Sequence, residues 1–199
     1  MKSMLILAHP AAESFNHFVA ASVRSAAESL GEVDFVDLYR ENFHPVLTET
    51  EIMQKTSLEQ DIQNFGKRLE SSDYLIFVYP EWWGGPPALL KGFLDRMLRP
   101  GTAYDYIGDE EGGRKHVGLW KNKSALVFST TDTIKPDTLY PPEAVWAQSI
   151  LPFCGITHFS LNTFFNLRES HFDDRQQWLV KVRNDTQLFI EKKIFEKKS

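Results

Sequence analysis

Short, almost uninterrupted apolar runs alternate along this chain with segments whose apolar residues recur at helical spacing. Runs of strand length fall at Met4–Ala8, Val33–Asp37, Tyr74–Tyr79, Ser124–Ser129 and His158–Leu161. Helical periodicity covers Asn16–Leu30, Thr48–Leu69, Pro87–Leu98, Pro142–Phe153 and Asp173–Lys193. A strand with one wet face would alternate polar and apolar residues. Runs that do not alternate predict a parallel sheet covered by helices on both sides. Five such units predict a doubly wound five-stranded α/β sheet, with ligands at the carboxyl ends of the strands near the switch point.

Local signals fit this division. Thr48 and Glu51 have the spacing of a capping box, with a break expected near Ser57, and Asp173 with Gln176 marks the start of the last helix. The longest irregular piece, Gly101–Lys121, is too short for a domain and long enough to contribute to a binding site. With 199 residues and no repeat or linker, the chain is expected to form a single domain.

Bulk properties narrow the function. A formal charge of −5 argues against general affinity for nucleic acid, and the basic tail Glu191–Lys198 reads as a solvated helix end. No apolar run approaches the roughly 20 residues of a membrane span. His9 and Pro10 cut short the only run resembling a signal segment, so a cytoplasmic location is expected. The single cysteine, Cys154, excludes an intrachain disulfide and reads as a small buried hydrophobe. The six histidines are scattered without ligand spacing, so no metal is expected. The carboxylates Asp109-Glu110-Glu111 adjoin a Gly-Gly turn and read as solvated rather than catalytic.

Three strand exits carry the residues of interest. Tyr79–Arg96 joins a buried strand to an apolar helix through a loop with two tryptophans, two glycines and two prolines. Such a loop can hold a flat aromatic ligand against backbone amides. At the exit of the first strand, His9 precedes Ser14-Phe15-Asn16, where a helix start presents backbone N–H groups to an anion, worth on the order of 1 kcal/mol. Ser14 or Asn16 can equally be an ordinary cap. The fourth strand runs into Thr130-Thr131-Asp132, whose hydroxyls suit the polar edge of a heterocycle. Glycine fingerprints of dinucleotide and P-loop sites are missing, as is a nucleophile elbow. A redox cofactor that brings its own chemistry remains. In the helix Pro87–Leu98, residues Leu89, Leu90, Phe93, Leu94, Met97 and Leu98 cover about half the circumference, wider than a helix on a sheet needs. A homodimer is the simplest supplier of the second surface; loops of the same chain are the other.

Five segments together resemble the flavodoxin-like NAD(P)H:quinone oxidoreductases of the DT-diaphorase type, short bacterial members included. They are Leu5–Pro10 with Ser14–Asn16, Asp37–Tyr39 with Asn42–Pro45, Tyr79–Arg96, Gly101–Tyr106 and Phe153–Ile156. The resemblance implies a flavodoxin-like fold in which His9, Ser14, Phe15 and Asn16 surround the flavin phosphate. Pro80, Glu81, Trp82, Trp83 and Gly84 would contact the isoalloxazine, and Thr130, Thr131 and Asp132 would border its other edge. Tyr104 and Tyr106 resemble an aromatic pair that reaches the partner subunit's substrate site. Tyr140 would fill the role of a catalytic tyrosine linked to hydride transfer. Two departures stand out: Asp132-Thr133 replaces a Gly-Gly pair, and no histidine lies between His116 and His158 to partner that tyrosine.

The expectation is therefore a homodimeric flavoenzyme that passes hydride from NADH or NADPH through flavin N5 to quinones, with FMN favoured over FAD. The alternatives are a flavin-bound ancillary subunit docked on a glutathione-regulated potassium efflux transporter, or an azo- or nitroreductase.

Overall fold

The computed structural model describes residues 1–41, 43–54, 57–108 and 113–198, without the side chains of 194–198. Asn42 and the Asp109-Glu110-Glu111 run thus lie outside the described residues. Five parallel strands, β1 (Lys2–Leu7), β2 (Glu32–Asp37), β3 (Tyr74–Pro80), β6 (Ser124–Thr130) and β7 (His158–Phe164), form one sheet in the order β2-β1-β3-β6-β7. This is the doubly wound sheet expected from the apolar runs. Its central strands β3 and β6 are buried along their whole length, which is why their sequences do not alternate.

Alternate residues of each strand feed two cores. Tyr74, Ile76 and Val78 of β3 face helices α1 (Phe15–Glu28) and α7 (Phe172–Lys198), packing with Val19, Val23, Val182 and Ile190. Leu75, Phe77 and Tyr79 face α3 (Gln60–Glu70) and α4 (Ala88–Met97), packing with Phe65, Leu69, Phe93 and Met97. Among the described residues, no helix is long and apolar enough to cross a membrane.

The capping box forms as read: Glu51 accepts the Thr48 N–H at 3.0 Å while its own N–H donates to Thr48 Oγ1 at 3.3 Å. It opens α2 (Glu49–Gln54), and α3 begins beyond buried Ser57, so the expected break is present. At the last helix the start signal lies two residues earlier than read. Asp174, rather than Gln176, takes up an N–H, that of His171.

Two expectations need correction. The segment Gly101–Lys121 is not irregular: β4 (Tyr104–Gly108) and β5 (Arg114–Gly118) pair as an antiparallel hairpin. Its strand residues are exposed or half-exposed except Gly118, so apolar density gave no strand signal. The hairpin docks where Gly118 meets Gly155, and a Cβ on Gly118 would lie 2.3 Å from the Gly155 nitrogen. Gly155, with φ 88°, also turns the chain out of the preceding helix. The wide stripe of α4 is likewise covered by its own chain. Leu90, Phe93, Leu94 and Met97 are buried, and Phe43 packs edge-on to Phe93 at 5.3 Å from the loop after β2. Gly92 lets Pro45 approach so closely that a Cβ there would lie 2.2 Å from the Pro45 carbonyl oxygen. The second surface is this loop, and the stripe calls for no partner subunit.

The predicted helix 142–153 is interrupted by a π-helical stretch, Val145–Ile150, between α5 (Pro141–Ala144) and α6 (Leu151–Phe153). Trp146 in that stretch donates to the Tyr79 hydroxyl at 2.7 Å, tying it to β3. Cys154 is buried, and burial pushes its thiol up to about 12, consistent with the packing role read from its neighbours.

Candidate functional site

The exits of β1, β3, β6 and β7 meet at one edge of the sheet and enclose a cavity of about 360 Å³, within the range of small-ligand sites. The cavity gathers His9, Ser14, Phe15, Asn16, Pro80, Glu81, Trp82, Thr130, Thr131 and Asp132, ten of the residues singled out in the sequence. It adds Leu167, Arg168 and Arg175, which the sequence reading missed.

At the β1 exit, Ser14 occupies the N-cap position of α1 in extended conformation, yet its hydroxyl makes no capping bond. It meets His17 Nδ1 at 2.9 Å, and His17 Nε2 lies 3.3 Å from the Asp37 carboxylate. A carboxylate only accepts, so the imidazole proton sits on Nε2 and Nδ1 accepts from Ser14. Asp37, at the end of β2, thereby orients Ser14 through His17. Asn16 is buried, donates to Thr130 Oγ1 at 2.9 Å, and leaves Oδ1 without a hydrogen-bond partner among the described residues. A buried orphan acceptor on a cavity wall is the mark of a missing ligand group. Burial lowers the pKa of His9, so at neutral pH it brings no positive charge to the site.

The cations come from the β7 exit. Thr131 N–H donates to the Phe164 carbonyl and Leu167 N–H to the Thr131 carbonyl, both at 3.0 Å, which lashes this loop to the end of β6. Asp132 accepts the Arg168 N–H and pairs with its guanidinium, both at 3.0 Å. The aspartate that replaces the Gly-Gly pair therefore fastens β7 to β6. Arg175, in the first turns of α7, donates through Nε to Ser170 and through Nη2 to the Leu167 carbonyl, both at 2.8 Å. Its Nη1 makes no hydrogen bond among the described residues. The sequence did hold a signal for this: any strand exit in a parallel sheet lies at the ligand edge, and Arg168 lies in the loop that leaves the last strand, four residues beyond Phe164.

At the β3 exit, Glu81 N–H donates to the Thr130 carbonyl at 2.7 Å, and the chain turns back through reciprocal bonds between Trp82 and Gly85. Trp82 lines the cavity with its ring centroid 6.1 Å from that of His9. Trp83 and Gly84 sit at the tip of the turn with φ of 55° and 80° and do not line the cavity, and Trp83 is fully exposed. A left-handed tryptophan costs about 1–2 kcal/mol, while glycine adopts that conformation readily. Trp83→Gly is accordingly expected to leave stability unchanged or raise it by up to ~1 kcal/mol in urea unfolding. A clear loss would mean that the indole supports the fold.

Tyr140 does not line this cavity. It lies behind Glu81, donating its hydroxyl to Glu81 Oε2 at 2.6 Å. Tyr104 and Tyr106 are on the hairpin and do not reach the cavity within one chain.

Such a site fits a flavin nucleotide: an orphan amide acceptor, cavity-facing hydroxyls, an indole wall, and two arginines with an uncapped helix start for a phosphate. Residues 1–185 match the family described as Flavodoxin-like fold, and the chain belongs to that family. It is 38% identical over 134 residues to a Haemophilus influenzae protein named an uncharacterized NAD(P)H oxidoreductase, spanning 65% of this chain and 64% of that one. Over 208 residues it is 28% identical to rat NAD(P)H dehydrogenase (quinone) 1, spanning 89% of this chain and 73% of the rat protein. A solved Streptococcus mutans protein superposes with a TM-score of 0.82 at 31% identity, over 94% of this chain and 99% of that one. An FMN-dependent NADH-azoreductase of Bacillus anthracis, solved with FMN, shares the fold with a TM-score of 0.75 at 18% identity, over 93% of this chain and 97% of that one.

Proposed function

We propose that this chain is a flavin-dependent NAD(P)H:quinone oxidoreductase. The observation that carries the reading is the cavity at the strand exits, which brings two arginines, an uncapped helix start and an indole wall together. The names of the Haemophilus and rat relatives support the nicotinamide and quinone halves. A bound flavin supplies the two-electron chemistry. Arg175, Arg168 and the uncapped N–H groups at the start of α1 bind its phosphate, Asn16 Oδ1 accepts from a ligand hydroxyl or N–H, and Trp82 lines the wall beside the ring. Donor and acceptor use one open pocket in turn, so ping-pong kinetics follow. Offset stacking on aromatic walls adds about 0.5–1.5 kcal/mol for flat substrates, which suits quinones and azo compounds alike.

FMN was the simpler expectation, since an adenine half needs somewhere to lie. The fold supplies a place: a groove of about 320 Å³ between α1 and α7, lined by Phe15, Phe18, Phe172 and Leu179, adjoins the cavity and shares Arg175 and Phe15 with it. Phe18 and Phe172 are exposed there at 54% and 73%, enough ring surface for an adenine to stack on. The groove supports FAD. The exposed Tyr106 and Ile107 of the hairpin offer a face for a second copy, whose tyrosines would then approach this cavity.

The test is purification followed by incubation with FAD or FMN, cofactor mass, sedimentation, and NAD(P)H turnover with quinone and azo acceptors. The expected result is a yellow dimer carrying FAD that oxidises NAD(P)H faster with quinones. A preparation that stays colourless with either flavin overturns the reading, and FMN alone by mass removes the role of the groove.

A further inference from the structure

We propose that Glu81 and Tyr140 are the proton-handling pair of this site, with Glu81 at the reacting cavity and Tyr140 connecting it to a separate reservoir of water. The inference rests on the flavin-dependent reading above.

The first observation is how Glu81 is held. Its Oε2 accepts from Tyr140 at 2.6 Å and from Thr131 Oγ1 at 2.7 Å, and its Oε1 accepts from the Gly84 N–H. Every one of these donors is neutral. Among the described residues, no arginine, lysine or histidine forms an ion pair with Glu81, although ten other carboxylates in the chain are so paired. A carboxylate needed only for packing gains from a cation partner. One held by hydroxyls and amides keeps its charge while remaining able to change it.

The second observation is the position of Tyr140. Glu81 lines the cavity at the strand exits, whereas Tyr140 lines a different one of about 270 Å³, together with Lys135, Glu143 and Thr163. The Tyr140 hydroxyl joins the two cavities, bonded to Glu81 at 2.6 Å and lying 3.4 Å from Thr131 Oγ1. A flat acceptor seated against Trp82 would close the first cavity to bulk water and leave the second open.

The chemistry requires such a path. Reduction of a quinone by a dihydronicotinamide consumes one hydride and one proton; the nicotinamide supplies the hydride and water must supply the proton. Burial alone would raise the Glu81 carboxyl, but the hydrogen bonds from Thr131, Tyr140 and the Gly84 and Gly85 backbone outweigh it, and the resting group is ionised. Negative charge added to a flavin in the same cavity raises the affinity of that carboxylate for a proton. Tyr140 passes its hydroxyl proton to Glu81 Oε2 and regains one from water in the second cavity. The two moves occur together, because burial and the Glu81 hydrogen bond both raise the phenol pKa and make a free phenolate costly. Glu81 then gives the proton to the quinone oxygen as hydride arrives, and the carboxylate is restored.

Other charged groups face the pair. His9, Asp132, Arg168 and Arg175 line the first cavity, and Lys135 and Glu143 the second. Arg168 and Arg175 are always protonated, and the variants below keep all six.

The experiment measures the midpoint potential of the bound flavin against pH, in wild type, Glu81→Gln and Tyr140→Phe. Its slope counts the protons taken up per electron pair. Around neutral pH, Glu81→Gln is expected to take up about one proton fewer than wild type, with kcat for quinone lowered by about 10²-fold or more at similar KM. Tyr140→Phe keeps the carboxylate, so its proton count should match wild type while kcat falls by a similar factor. A purely structural role for either residue moves neither signature in this pattern. An unchanged proton count in Glu81→Gln, or full kcat in Tyr140→Phe, overturns the proposal. Should Glu81→Gln fail to hold flavin, the kcat of Tyr140→Phe decides. Failure of wild type itself to bind flavin would instead strike the underlying reading.

Discussion

Arg96→Met is expected to destabilise the protein by about 3–5 kcal/mol, the usual result of breaking a buried charge network from one side. Arg96 is fully buried in α4. It donates to Glu51 Oε1 through Nε at 3.1 Å and Nη2 at 2.8 Å, to Glu59 at 2.8 Å, and to the His44 carbonyl at 2.7 Å. One guanidinium thus joins α4 to α2, to the start of α3 and to the loop after β2. Glu51 is only 3% exposed, so its carboxylate would be stranded in the variant. Urea unfolding at neutral pH measures the loss.

The pH dependence gives a second, sharper sign. Burial alone would raise the Glu51 carboxyl, but hydrogen bonds from Arg96, Thr48 and Ser57 hold it at about 2 against an ordinary 4.5. A depressed folded value means stability that is complete above pH 4.5 and lost as pH falls toward 2. At ~1.36 kcal/mol per pKa unit this is about 3 kcal/mol. Without Arg96, burial dominates and the carboxyl rises. Stability of Arg96→Met should then improve, relative to wild type, as pH is lowered from 7 to 4. Parallel pH curves for the two proteins would show that Arg96 does not govern this carboxylate.

Why so much of this fold could be read in advance, and some could not, comes down to where water touches each element. β1, β3 and β6 are buried on both faces, so their apolar runs mark them in the sequence. The β4–β5 hairpin has no core of its own: Tyr106, Ile107, Gly108, Arg114 and Lys115 are exposed and only Gly118 is buried, so neither period nor density betrays it. The α4 stripe was wide for a reason invisible in sequence, the crossing of Pro45 over Gly92. At the site, residues that immediately follow a strand were legible because topology alone puts them at the ligand edge. Glu81 was legible as a position but not as a chemistry, since its meaning depends on Tyr140, 59 residues away and beneath it.

Arg175 was the least legible of the site residues, because a helix start rich in Asp and Arg looks like ordinary surface. Arg175→Met is expected to weaken binding of FMN or FAD by about 10–100-fold, the worth of one hydrogen bond to a charged group at ~1.5–3 kcal/mol. Two of its nitrogens are engaged by Ser170 and the Leu167 carbonyl, which fix the guanidinium plane at the cavity wall and leave Nη1 for an anion. Arg168 should matter less: its side chain is 80% exposed and already paired with Asp132. The discriminating ligand is riboflavin, which has the rings without the phosphate. Fluorescence titration of the flavin-free protein should show the loss for the phosphorylated flavins and little change for riboflavin. Salt should narrow the difference, as screening does for a partly exposed charge pair. An equal loss for riboflavin would mean that Arg175 only holds the β7 exit loop in place. Unaltered binding of all three would take the phosphate off Arg175 altogether and leave it to the backbone N–H groups at the start of α1.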